Sequence, residues 1–144
     1  MTKGTYEIPT KLRLKERGIQ WVPSWSTKAK YKKGHAVFIH GLHTTKYHSN
    51  KMVSKFGTNV YYGHTHDIQE MPWEQDGNDK TIVGKSLGCL CEYDQKYLKG
   101  NPTKWQQGFS EFFFFPDGHF DEKTTRIFKH RFIGLDGKVY DGKK

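Results

Sequence analysis

Apolar residues in this chain fall into short blocks set between polar and glycine-bearing stretches, and the blocks predict an order of elements. Ile8-Pro9-Thr10 leads into a charged, leucine-bearing segment at 11–17, with Gly18 behind it. Proline near the start and glycine just past the end predict a short helix. Residues 19–22 have strand character, and 23–33 read as a loop. The apolar run 35–39 predicts a buried strand that delivers His40-Gly41 at its C-terminal end. Residues 47–56 place Met52, Val53 and Phe56 on one helical face, with Gly57 as the stop. Asn59-Val60-Tyr61-Tyr62 predicts a second short strand ending at Gly63. Strand, helix, strand in that order is a parallel crossover unit. Both histidine segments then sit at strand C-termini, where ligands gather in open α/β sheets.

After Glu70 the pattern changes. Residues 81–84 are strand-like, and 93–98 predict a short helix before Gly100. From Gln107 onward the chain reads as β: a strand at 109–115, a Pro116-Asp117-Gly118 turn, and a long strand at 124–133. A second hairpin turn at Asp136-Gly137 precedes Val139-Tyr140. The expectation is an α/β fold with a sheet-rich C-terminal part, in a single domain over residues 1–144, a length that suits one domain.

Composition changes this picture in two respects. Hydrophobic residues make up only 34%, yet 10 Phe, 8 Tyr and 4 Trp bury enough area per residue to supply a core. Lys and Arg number 24 against 15 Asp and Glu, a net charge of +9 that favours a polyanionic partner such as nucleic acid. Lys28, Lys30, Lys32 and Lys33 form the densest basic group, which reads either as candidate phosphate contacts or as a solvated loop. Cys89 and Cys91 form one C-x-C, too tight for an ordinary local disulfide and without a second pair to complete a zinc site, so two buried thiols are expected. No stretch resembles a signal peptide or approaches membrane-spanning length, so the expected location is the cytoplasm.

The chemistry concentrates in Gly63-His64-Thr65-His66, with His40-Gly41 24 residues upstream of His64. Neutral imidazole is a good ligand for zinc, manganese or iron, and two histidines one residue apart on extended backbone can address neighbouring metal positions. A histidine on an adjacent strand can converge on the same spot, and flanking glycines allow sharp turns. His43 lies in the loop beside His40, within reach of a substrate. His35, His48 and His130 are expected on element surfaces or in local hydrogen bonds, and Phe112 to Phe115 in the core or an interface.

His40-Gly41, a helix, and then 59–66 ending in Gly-His-Thr-His resemble the last two metal-binding motifs of the calcineurin-like metallophosphoesterases. The later Lys85-Ser86-Leu87-Gly88-Cys89-Leu90-Cys91, with Tyr97, Lys99-Gly100, Trp105 and Gly108-Phe109, resembles the C-terminal portion of phage-type members. The likeness covers residues 10 to 115. It implies part of the family's layered α/β/β/α fold and hydrolysis of a phosphoester substrate by two divalent ions (Mn, Zn, Fe or Mg). It also implies that His40 and His64 bind one ion and His66 the other, with Gly41 and Gly63 permitting the turns and His43 near the reacting group. The family also uses an Asp-x-His, a bridging Asp and a Gly-Asn-His upstream of the first His-Gly, whereas residues 1–39 contain no Asp. The resemblance therefore implies a complementary N-terminal half or self-association, as from a split phage gene expressed in the host cytoplasm. Gly77-Asn78-Asp79 and Asp117-Gly118-His119 are look-alikes of the absent motifs, the latter placed as a circular permutation would place it or as an ordinary turn. The competing reading is a non-catalytic basic module that holds nucleic acid or a protein.

Overall fold

The computed structural model of the chain describes residues 8–22, 30–74, 81–93 and 95–142. These fall into two units, one up to Tyr31 and the other from Lys32 onward. The fold is mixed α/β and mostly sheet, with two α-helices among the described residues.

In the first unit, helix α1 is confined to Ile8–Lys11. The predicted continuation to residue 17 is a series of turns, because Arg13 takes a left-handed φ of 51° and breaks the helical path. Gly18 does end the segment, at φ 66°, with the Ile19 amide donating back to Leu14 O at 2.8 Å. Residues 19–22 are irregular rather than a strand.

The second unit is organised by a five-stranded sheet ordered β1-β2-β3-β5-β4. Its strands are β1 (Tyr31–Lys33), β2 (Ala36–Ile39), β3 (Asn59–Tyr62), β4 (Glu70–Glu74) and β5 (Thr81–Ser86). Helix α2 (His48–Phe56) links β2 to β3 and stops at Gly57, whose φ of 59° lets its amide cap Val53 O. The predicted crossover is present: β2 pairs parallel with β3 from Ala36↔Asn59 to Ile39↔Tyr62, and β3 pairs parallel with β5 up to Tyr62↔Ser86. This register ends all three strands at one level, so the segments after Ile39, Tyr62 and Ser86 leave the sheet side by side.

Alternation along the strands assigns the two faces. Val60 and Tyr62 join Met52 and Val53 of α2 in the buried core, with Ile39, Phe56, Met71, Trp73 and Ile82 packed around them. Phe38 and Tyr61 point the other way and meet Phe112 edge-on, at ring distances of 4.8 and 4.7 Å. Phe112 belongs to the hairpin of β6 (Gly108–Phe114) and β7 (Phe120–Arg126), which covers that face. The phenylalanine run is therefore split by the pleat, with Phe112 inward and Phe113 and Phe115 exposed. Lys85 reinforces the contact, its ammonium 2.6 Å from Glu122 on β7 and 2.9 Å from Glu70 on β4.

Two further elements differ from expectation. The long strand foreseen at 124–133 is interrupted: Lys129 and His130 take φ of 49° and 68°, and β8 (Arg131–Ile133) turns back to pair with β9 (Val139–Asp141). Among the described residues of 93–98, Lys96–Leu98 form a 3-10 turn rather than a longer helix. Among the described residues, no helix is long and apolar enough to cross a membrane.

Candidate functional site

The three parallel strand ends bring the histidine segments together. His40 follows β2, His64 follows β3, and His40 Nε2 lies 3.0 Å from His64 Nδ1. Two nitrogens on one ion with bonds of about 2.0–2.1 Å would sit only slightly farther apart, so the pair suits a shared metal. Gly41 is needed here: its φ is 120°, and a Cβ would lie 3.0 Å from both Gly63 O and His64 Cβ. Gly63 has no such requirement, since its nearest neighbour would be 3.7 Å away. The turn after β3 is made instead by the histidines themselves. His64 has φ 71° at the centre of a γ-turn closed by Thr65 N–H to Gly63 O at 2.9 Å, and His66 has φ 62°. The motif is thus coiled rather than extended, which sends its two rings in different directions. Non-glycine residues held left-handed cost of order 1–3 kcal/mol each and cluster at functional sites.

His66 faces a different set of donors. Its Nδ1 is 3.9 Å from Cys91 Sγ, and ligand atoms of His66, Cys89 and Cys91 all lie within 4.8 Å of one another. Among the described residues this is the one group of three or more His, Cys, Asp or Glu side chains so disposed. Both thiols are half-buried rather than buried, and His66, which the C-x-C reading did not consider, stands beside them. Burial, with Cys91 alongside, pushes the Cys89 thiol up to about 11. Trp105 packs edge-on against the His66 ring at 4.4 Å.

Behind these loops stands a polar network that sequence reasoning missed. His48, expected on an element surface or in local hydrogen bonds, is 3% exposed and takes the second course. Its Nδ1 is 2.6 Å from the Tyr62 hydroxyl and its Nε2 3.0 Å from Asp67 Oδ2. The Ser86 hydroxyl reaches Asp67 Oδ1 at 3.2 Å. Burial works to raise the Asp67 pKa, but Thr65, His48 and Ser86 together outweigh it and hold the carboxyl below its usual range. Burial, then the Asp67 charge, push the Tyr62 phenol well up, so it stays protonated. The one available signal was position: His48 opens α2 and Asp67 follows the histidine motif.

The remaining candidates are dispersed. His43 is half-buried in the loop after His40. Lys28 and Gly77-Asn78-Asp79 lie outside the described residues. Lys30 is exposed, and Lys32 and Lys33 are successive, exposed residues on β1 whose side chains take opposite faces of the sheet. Lys33 Nζ lies 4.7 Å over the Phe114 ring, so Lys32 and Lys33 do not present one surface. Asp117 and His119 pair within the β6–β7 turn at 3.1 Å. That turn is held by His35 N–H to Gly118 O at 2.9 Å, at the start of β2. His40 lies five residues farther along, about 16 Å by strand geometry. Asp117 and His119 therefore do not replace the missing ligands.

Comparison with known proteins finds phage relatives. A stretch of 93 residues, 62% of this chain and 35% of the relative, is 33% identical to the Gene 54 protein of Mycobacterium phage D29. The Gene 54 protein of Mycobacterium phage L5 is 34% identical over 91 residues, 60% of this chain and 34% of the relative. The chain spans about a third of the length of these curated relatives. No family model matches the chain, and no solved structure matches it.

Proposed function

We propose that the chain contributes part of a two-metal phosphoesterase centre, with ligands completing it supplied by a second polypeptide. The observation that carries this reading is the 3.0 Å approach of His40 to His64, across 24 residues and two parallel strands. His40 and His64 hold one divalent ion, and His66 faces the second position. Bound metal activates a water for in-line attack on phosphorus and stabilises the charge that develops. The chain's own part is to fix the imidazoles. Gly41 lets the two loops close on each other, and the left-handed His64 and His66 aim their rings apart. His43, half-buried in the loop after His40, is the residue proposed to lie near the reacting group. The phage origin of both relatives supports a phage-encoded enzyme working in the host cytoplasm.

The experiment is complementation. Co-expression with an N-terminal half carrying Asp-x-His and Gly-Asn-His should yield a complex that hydrolyses bis-p-nitrophenyl phosphate with manganese. His40→Ala or His64→Ala in that complex should abolish turnover. Robust metal-dependent turnover by the 144-residue chain alone would overturn the need for a partner. Full activity of both histidine variants would overturn the site.

A further inference from the structure

Three backbone arms meet at Gln106. Its amide donates to His66 O at 2.8 Å, and its carbonyl accepts from the Cys89 amide at 3.0 Å. Its side-chain oxygen accepts the Ile68 amide at 2.7 Å. One residue farther on, Gln107 Nε2 holds Cys91 O at 2.9 Å, and the Gly108 amide closes on Cys89 O at 3.0 Å. The loop after β5 is pinned from its other side as well, by Leu87 N–H to Tyr62 O and Gly88 N–H to Asp67 O. Gly88 fits this clamp only as glycine, since its φ is 75° and a Cβ would meet Gln106 O at 2.6 Å. The scaffold therefore fixes the main chain of His66, Cys89 and Cys91 before any ligand arrives.

From this geometry we infer that His66, Cys89 and Cys91 form a zinc site with a fourth coordination position open. Two thiolates at about 2.3 Å and an imidazole at about 2.0–2.1 Å from one ion lie about 3.5–3.8 Å from one another in tetrahedral geometry. Cys91 Sγ and His66 Nδ1 already stand 3.9 Å apart, and the widest separation in the cluster, under 4.8 Å, closes by side-chain rotation alone. Thiolate donors select thiophilic metals over magnesium or manganese. Three protein ligands with a free position is the pattern of a reactive zinc, whereas structural zinc is closed by four. The site asks nothing of His40 or His64; it shares only His66 with the phosphoesterase reading, as the residue facing that reading's second ion, and its test does not depend on turnover.

Cobalt reports the ligands directly. The reduced, metal-free 144-residue chain titrated with Co²⁺ should develop a thiolate-to-cobalt charge-transfer band at one ion per chain, and Zn²⁺ should bleach it. Cys89→Ser, Cys91→Ser and His66→Ala, each checked for unchanged far-ultraviolet circular dichroism, should weaken zinc binding by about 100-fold or more against a chromophoric chelator. The double variant His40→Ala/His64→Ala should keep both the band and the affinity. Absence of the band from the reduced chain, or a band unchanged in the two serine variants, would overturn the site. A band lost in the His40/His64 variant would overturn it too, by assigning the metal to the other pair.

Discussion

His48 touches no candidate metal position, yet it ties Tyr62 and Asp67, which flank residues 63–66, to helix α2. Replacing it with alanine leaves the Tyr62 hydroxyl and the Asp67 carboxylate without their ring partner, and unsatisfied buried groups cost about 1–3 kcal/mol each. The predicted result is a urea midpoint lowered by that order. Tyr62→Phe, which keeps the ring in the core, should lose about 1 kcal/mol. A large loss from His48→Ala beside almost none from Tyr62→Phe would mean that packing volume, not the network, sets the cost. Acid provides an independent test. Asp67 and Glu122 both have carboxyl pKa values lowered by folding, burial being outweighed by their hydrogen-bond donors. A lowered folded pKa stabilises the native chain above the ordinary carboxylate value, about 3.9–4.3, and that stability is lost as pH falls through the folded value. Stability should therefore be flat in these groups above about pH 5 and fall below about pH 4, with a shallower fall in Asp67→Asn. An unchanged acid limb in that variant would exclude Asp67 as a contributor. At this scale the sequence exposed the chemistry but not its disposition. Imidazole pairs are visible as letters, whereas the left-handed turns at His64 and His66, and the burial of His48, depend on contacts made by residues far along the chain.

Among the elements, α2 and β5 pack closely. Gly84 faces the helix, and a Cβ there would fall 2.5 Å from Ser49 O and 2.9 Å from Val53 Cβ. Because backbone cannot rotate away, Gly84→Ala should destabilise by about 1–3 kcal/mol, the usual cost of overpacking. A thermal midpoint within error of the parent would show that the helix shifts freely. The crossover β2-α2-β3 was legible because each part carries its own signal: an apolar strand, an amphipathic face and a glycine stop. Strand β4 was not, since Pro72 sits in its middle; as an edge strand it tolerates a missing donor. The break at 127–130 was equally hidden, because Lys129 and His130 take turn conformations that glycine or asparagine would have advertised.

For the whole molecule, the +9 charge remains the main statement about partners, although Lys32 and Lys33 do not share a face. If nucleic acid is held, the association should weaken steeply between about 50 and 200 mM salt with little sequence preference, as counterion release requires. Fluorescence anisotropy with a labelled duplex and a labelled single strand checks this, and no binding at the low end would reduce the charge to a solubility property. The α/β class and the parallel order were readable from periodicity, whereas the packing of the hairpin on the sheet rests on Phe112 meeting Phe38 and Tyr61 across more than fifty residues. That same span sets an order in time. The His40–His64 pair is complete once residues 36–64 have folded, a stretch of local contacts and quick closure. The cluster around Cys89 waits for Gln106, which must arrive from forty residues beyond His66. If both groups hold metal as proposed, the first to form as the chain folds should be nitrogen-only and the second sulfur-bearing. Pulsed hydrogen exchange should accordingly protect the β3 amides before the amide of Gln106.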